Sequence, residues 1–182
     1  MNRKIVNICF GYSWDGDGLN KNSYKAFTQV CDSVIKQITN SKKFNNNDYS
    51  VTRRRLRGSS GGFMFDRIYK MILNANILVF DISKINANVM LELGIAIAIQ
   101  RELKTNLNIF LITDIDAKEN TVSDLSGYFI SRYKVDKSRN IIFKDNNSFR
   151  SSMISAISTI LVESDIIKNN KSYIDLDNIT IM

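Results

Sequence analysis

The chain has 182 residues, of which 44% are hydrophobic and 24% charged, a composition typical of one folded domain and not of a disordered chain. Its net charge of +7 favours anionic ligands such as nucleotides, nucleic acid or an acidic surface, without choosing among them. Histidine is absent, which excludes Ser-His and Cys-His dyads and most zinc chemistry, so any catalysis must depend on carboxylates, hydroxyls, Lys or Arg.

The first part of the chain alternates β-branched runs with helical patterns. Lys4–Tyr12 is predicted as the first strand, and Ser23–Thr39 as a helix that Ser23 caps. The apolar residues of this helix recur at a spacing of three or four: Phe27, Val30, Cys31, Val34 and Ile38. After an asparagine-rich loop, Tyr49–Leu56 is predicted as the second strand.

The middle of the chain carries the clearest strand. A Gly/Ser-rich turn at residues 57–62 precedes a predicted helix over Phe63–Leu73. Ala75–Ser83 is nearly continuous in apolar residues, which is typical of a strand buried on both faces. A third helix is predicted over Asn88–Leu103, and a fourth strand over Asn108–Asp114.

The last third has weaker patterns. A short helix is predicted near Val122–Ser131, a fifth strand at Asn140–Phe143 and a long closing helix over Ser148–Lys168. The apolar stripe of the closing helix contains Met153, Ala156, Ile157, Ile160 and Leu161. For the tail, Asn169–Met182, we expect an edge strand or a partner contact instead of a helix.

The alternation of strands and helices predicts the fold class. It indicates an α/β domain, a flavodoxin- or Rossmann-like three-layer sandwich with a mostly parallel five-stranded sheet. Residues 1–168 would form this domain, and residues 169–182 a C-terminal tail.

The sequence also suggests a compartment. The N-terminus lacks the features of a secretory signal, and the longest apolar stretch, Ile95–Ile99, cannot span a bilayer. We therefore expect a cytoplasmic protein without membrane contact. In a reducing compartment, Cys9 and Cys31 are predicted to be buried thiols and not a disulfide or a metal-binding pair.

Ligands of parallel α/β sheets bind beyond the carboxyl ends of the strands, and here those ends are polar or glycine-rich. The candidate nucleotide-binding residues after strand one are Gly11, Tyr12, Ser13, Trp14 and Asp15. Those after strand two are Arg57, Gly58, Ser59, Ser60, Gly61 and Gly62. Strand three ends in Asp81.

Each of these features also has an ordinary structural interpretation. The Gly/Ser turn could cradle a phosphate or be a simple loop, since it is neither a Walker loop nor a GxGxxG motif. Trp14 could stack on a base or act as a packing lid, and Asp81 could hold sugar hydroxyls or cap a turn. Arg53, Arg54 and Arg55 alternate across a strand, as on a solvated face.

Glu92 is the only ionisable residue between Lys84 and Arg101. If Asn88 caps the third helix, Glu92 lies at the end of the first turn, leans towards the strand ends and shares a face with Asn88. Apolar neighbours would raise its pKa and the helix N-terminus would lower it. An exposed glutamate on the outer face of the helix is the alternative.

One stretch of the sequence is similar to a known group of proteins. "ANILVFDISKINANVMLELGIAIA" resembles a segment shared by nucleoside 2-deoxyribosyltransferase-like proteins and bacterial TIR-like (Toll/interleukin-1 receptor-like) nucleotide-binding proteins. In both, an apolar strand ends in Asp, a loop carries Asn-x-Asn-Val and a helix opens with Glu-Leu-Gly. "ICFGYSWDGD" and "SDLSGYFISRY" show weaker similarity. Ala87 replaces the usual proline of the loop, and Leu91 a usual aromatic residue.

The resemblance implies a function for Glu92, which occupies the position of the catalytic glutamate that attacks or stabilises C1′ of a ribose. Asp81 or Asp15 would supply a proton where the leaving base needs one. The helix dipole is expected to keep Glu92 ionised, as suits a nucleophile or electrostatic partner and not a general acid.

The predicted activity is therefore a glutamate-dependent N-glycosidase, a hydrolase or glycosyl transferase that acts on NAD or a nucleoside monophosphate, without a cofactor or metal. Antiphage defence, salvage and toxicity are open as its setting. The alternative is a non-catalytic nucleotide sensor that assembles with partners. TIR-like proteins also lead us to expect a homo-oligomer. A nucleic-acid-binding domain ranks last, because no such signature is present.

Overall fold

The computed structural model describes residues 4–13, 20–40, 49–56, 64–103, 106–117, 125, 127–128, 130–137, 141–144 and 146–177. The strands within them are β1 (Lys4–Gly11), β2 (Tyr49–Arg55), β3 (Ile77–Asp81), β4 (Asn108–Asp114), β5 (Ile130–Val135) and β6 (Ile141–Phe143). The helices are α1 (Asn20–Asn40), α2 (Met64–Leu73), α3 (Ala87–Glu102) and α4 (Asn146–Asp177).

The strands form one sheet in the order β2-β1-β3-β4-β5-β6. The pairs from β2 to β5 are all parallel, and β6 is antiparallel to β5. The fold is thus a Rossmann-like α/β fold with a mostly parallel sheet, as predicted. Strand order reverses at β1. From β1 the chain continues to β2 on one side of it, whereas β3 and β4 follow one another on the other side.

Alternation along the strands places apolar side chains on both faces of the sheet. One core cluster combines β1 residues Val6, Ile8 and Phe10 with residues of α1 and α4, and a second combines Cys9 with residues of α2 and α3. All five residues of β3 are buried, which matches its nearly continuous apolar sequence. The predicted stripe of α1 is also buried: Phe27, Val30, Cys31, Val34 and Ile38.

The sheet has six described strands, and the prediction of five was wrong. Ile130 and Ser131, predicted to end a short helix, belong to β5. In β5, Ser131 and Tyr133 are buried whereas Arg132 and Lys134 are exposed, the alternation of a strand. The strand predicted near residue 140 is β6, which closes the sheet as an antiparallel edge.

Three helix boundaries also differ from the prediction. Helix α1 begins at Asn20, so Ser23 is inside the helix and does not cap it. Helix α3 is capped by Asn86 and not by Asn88. Helix α4 continues to Asp177, so the prediction of a non-helical tail was wrong for residues 169–177. No glycine or proline interrupts residues 146–177, which leaves nothing in the sequence to end the helix at Lys168.

Both cysteines are buried free thiols, as predicted. Burial raises the pKa of Cys9 to about 11 and that of Cys31 to about 12. They belong to the two different core clusters. In the part of the chain that the structure describes, no helix is long and apolar enough to cross a membrane.

Candidate functional site

The candidate site lies at the carboxyl edge of the sheet, the edge at which β1 and β3 both end. Gly11, the last residue of β1, is paired with Phe80, and Asp81 follows Phe80 at the end of β3. The crossovers from these two strands lead in opposite directions, and ligands of such sheets bind in the crevice that this divergence creates. The fold therefore places the predicted strand ends where a ligand is expected.

Glu92 approaches the end of β1 from α3. Its Oε2 lies 3.2 Å from the position that a Cβ atom would take on Gly11. The same Cβ would lie 2.5 Å from Cδ1 of Phe80, closer than a side chain tolerates. Glycine at position 11 therefore lets the Phe80 ring and the Glu92 carboxylate both approach the end of β1. The helix carries Glu92 towards the strand ends, as the sequence predicted.

The charge of Glu92 differs from the prediction. The side chain is half-buried, and no described residue donates a hydrogen bond or forms an ion pair with it. Burial raises its pKa from 4.5 to about 7. Because Asn86 is the N-cap, Glu92 lies in the second turn, beyond the reach of most of the helix dipole. Desolvation thus outweighs the dipole, and the expectation that the dipole keeps Glu92 fully ionised was wrong.

Asp81 is buried in a hydrogen-bond network that joins three strands. Its Oδ2 accepts from the Tyr133 hydroxyl at 2.8 Å, and its Oδ1 accepts from the Ser83 backbone N–H at 2.9 Å and from the Ser83 hydroxyl. The Ser83 oxygen in turn accepts from the Asp114 backbone N–H at 2.6 Å. These bonds explain the burial of Asp81 without a substrate, and its role as a proton donor stays a prediction.

Tyr133 and Ser83 were not predicted as site residues. The signal for Tyr133 is the strand alternation of β5, and that for Ser83 is its position two residues after the end of β3. Within the described residues, no three His, Cys, Asp or Glu side chains are grouped so that they could hold a metal ion.

An aromatic cluster lies beside the end of β1 on the α1 face. Tyr12 stacks on Phe10 with ring centroids 5.2 Å apart, and Tyr24 of α1 lies 6.3 Å from Tyr12. The guanidinium carbon of Arg55 is 3.5 Å from the Tyr24 ring centroid and 5.9 Å from that of Tyr12. Tyr12 is half-buried and Ser13 buried, so both predicted residues belong to the carboxyl edge.

Of the remaining predicted residues, Asn88 is the one that the structure describes. Asn88 is exposed near the start of α3, where its backbone N–H donates to the Asn86 side chain at 2.9 Å. The other candidates lie outside the described residues: Trp14, Asp15, Arg57, Gly58, Ser59, Ser60, Gly61 and Gly62.

A cleft of about 690 Å³ lies elsewhere, between β1, β2 and α2. Its lining includes Asn7, Cys9, Arg54, Arg67 and Lys70, and neither Gly11 nor Glu92 contributes to it. It is therefore separate from the crevice at the carboxyl edge.

Comparisons with known proteins add no assignment. No protein-family model matches the chain, and no curated protein sequence matches it.

Proposed function

We propose that the protein is a glutamate-dependent N-glycosidase that acts on a nucleotide, either NAD or a nucleoside monophosphate, by hydrolysis or by glycosyl transfer. The observation that carries the proposal is the position of Glu92, a half-buried carboxylate without a described partner, against Gly11 at the end of β1. A buried charge without a partner destabilises a fold, and such groups concentrate at functional sites.

The fold supports this proposal. The parallel strands follow the order 2-1-3-4-5, which is the flavodoxin-like order, and β6 adds an antiparallel edge. With core clusters on both faces of the sheet, this order supports a three-layer, flavodoxin-like arrangement. It is also compatible with the deoxyribosyltransferase-like or TIR-like kinship suggested by residues Asp81 to Gly94.

The chemistry of Glu92 fits the cleavage of an N-glycosidic bond. As the bond to the base lengthens, positive charge develops on the ribose around C1′, and a nearby carboxylate stabilises it or adds to it. The half-buried setting strengthens this interaction, because fewer water molecules screen it. The leaving base of NAD is cationic and needs no proton, whereas a neutral base would need the protonated form of Glu92 or another donor.

The raised pKa couples the charge of Glu92 to its ligand. A cationic nicotinamide ring beside the carboxyl favours the charged form and lowers the pKa, whereas a neutral base has no such effect. The site is thereby better matched to the cationic base of NAD than to the neutral base of a nucleoside monophosphate.

The test is release of the base from NAD and from deoxynucleoside monophosphates, followed by chromatography and mass spectrometry. Wild-type protein should release base, and Glu92→Gln should reduce kcat by at least about 100-fold. Glu102→Gln is the control, since it makes the same change at an exposed position of α3. Equal release by wild type and Glu92→Gln would contradict the proposal. Nucleotide binding by calorimetry without release would instead assign the site to a nucleotide sensor.

The pH dependence identifies the active form of Glu92. If the carboxylate is the active form, kcat/KM for NAD should rise with pH through about 7 and then level off. A fall over the same range would show that the protonated form acts as a general acid. Measurements at several protein concentrations would show whether activity requires assembly of the expected homo-oligomer.

A further inference from the structure

Arg55 is a basic residue at the carboxyl edge, which its place among alternating arginines predicted to belong to a solvated face. It ends β2 and is paired with Phe10 of β1, and the backbone N–H of the next residue, Leu56, donates to the Phe10 carbonyl at 2.9 Å. Adjacent strands are about 4.8 Å apart. Arg55 is therefore one strand away from the end of β1, where Gly11 meets Glu92.

The guanidinium of Arg55 is held by its flat face. It stacks on the Tyr24 ring, with its central carbon 3.5 Å from the ring centroid. Stacking of this kind fixes the orientation of the group and leaves the N–H donors in its plane available. No carboxylate or carbonyl of the described residues accepts a hydrogen bond from it.

The neighbouring Arg53 shows the contrast. It points towards α1 from the same strand and is paired with Asp32 and the Thr28 carbonyl. Arg55 is half-buried, whereas Arg53 is exposed. The donors of a half-buried guanidinium without protein acceptors are left for water or for a ligand. Arg53 is thus a surface ion pair, and Arg55 has the properties of a binding group.

We propose that Arg55 binds a phosphate group of the substrate and thereby restricts the site to nucleotides over nucleosides. The planar guanidinium matches two phosphate oxygens with two parallel N–H donors. Tyr24, which holds it, lies in the second turn of α1. The inference rests on the proposed function, because it assigns the phosphate end of the same ligand whose ribose meets Glu92.

The geometry places the two ends of the ligand on opposite faces of one strand. Arg55 approaches the end of β1 from the α1 face, where it contacts Tyr12 and Tyr24. Glu92 approaches from α3, which packs on the other face. A nucleotide laid across the end of β1 would therefore present its ribose to Glu92 and its phosphate to Arg55.

The test uses pairs of substrates that differ only by a phosphate: nicotinamide mononucleotide with nicotinamide riboside, and deoxyadenosine monophosphate with deoxyadenosine. Arg55→Met removes the charge but keeps a side chain that packs on Tyr24. Arg53→Met is the matched control on the same strand. Thermal unfolding is the check that both variants are folded.

Arg55→Met should lower kcat/KM for the phosphorylated substrates by about 10- to 100-fold, mainly through KM, and leave the nucleosides unchanged. Arg53→Met should leave kcat/KM unchanged for both the phosphorylated substrates and the nucleosides. An equal loss on nucleotides and nucleosides, or no loss on either, would overturn the assignment of Arg55 even if base release depends on Glu92.

Calorimetry in the Glu92→Gln background separates the two proposals, because it needs no turnover. The phosphate site is supported if each nucleotide binds more tightly than its nucleoside and Arg55→Met abolishes this difference. This result would support it even if no base is released. If each nucleotide and its nucleoside bind equally or not at all, the phosphate site is refuted, whatever the glycosidase assay shows.

Discussion

Replacing Glu92 by glutamine should stabilise the fold at neutral and alkaline pH. Burial raises the pKa of this carboxyl from 4.5 to about 7, so between these values the native protein holds a proton that the unfolded chain has released. Stability contributed by the protonated carboxyl is complete below 4.5 and is lost as the pH rises through 7. At about 1.36 kcal/mol per pKa unit, this pKa shift changes the free energy of unfolding by at most ~3.4 kcal/mol. Water around the half-buried group reduces the change to about 1–2 kcal/mol.

Urea unfolding at about pH 5 and pH 8 measures this effect. The difference in free energy of unfolding between Glu92→Gln and wild type should be about 1–2 kcal/mol more positive at the higher pH. Glu102→Gln controls for the loss of one carboxylate on the same helix, at an exposed position. A difference that stays constant with pH, or that falls as the pH rises, would refute the view that Glu92 is held in a desolvated site.

Three further substitutions, two of them with a matched control on α3, test the surroundings of the site by urea unfolding. Gly11→Ala should destabilise the fold by about 1–3 kcal/mol and impair base release, because the added methyl group overlaps the Phe80 ring. Gly94→Ala adds a methyl group in open space on α3 and should stabilise the fold by up to ~1 kcal/mol. Tyr133→Phe should cost about 1.5–3 kcal/mol, since it removes a buried hydrogen bond to a carboxylate. Asn86→Ala should cost ~1 kcal/mol by removing the cap of α3, and Asn88→Ala less. Equal effects within the glycine pair or the asparagine pair would contradict these assignments.

The sequence predicts β1 to β4 and the four helices because their patterns depend on local periodicity. The bounds of β4 agree completely, and those of β1 differ by one residue. Strand β5 was missed because it buries only Ser131 and Tyr133 and follows a polar segment, so its apolar signal is small. The extension of α4 beyond Lys168 differs from what the composition of residues 169–182 predicts, because no glycine or proline ends the helix at Lys168.

The location of the site was predictable, whereas its electrostatics were not. Carboxyl ends of parallel strands converge at one edge by geometry, so Gly11 and Asp81 could be placed there from the strand assignments. The pKa of Glu92 depends on a balance between burial and the helix end, and moving the cap from Asn88 to Asn86 changes that balance. The role of Arg55 depends on Tyr24, a contact between distant segments that periodicity does not reveal.

Two carboxylates at the carboxyl edge have contrasting surroundings, and the contrast assigns their roles. Asp81 is satisfied on both oxygens by Ser83 and Tyr133, so it holds β3, β4 and β5 together at the place where a ligand would bind. Glu92 has no described donor, and burial opposes its charge. A group whose charged form gains no support from the protein can gain it from a cationic ligand or transition state. We therefore propose a supporting role for Asp81 and contact with the ribose for Glu92.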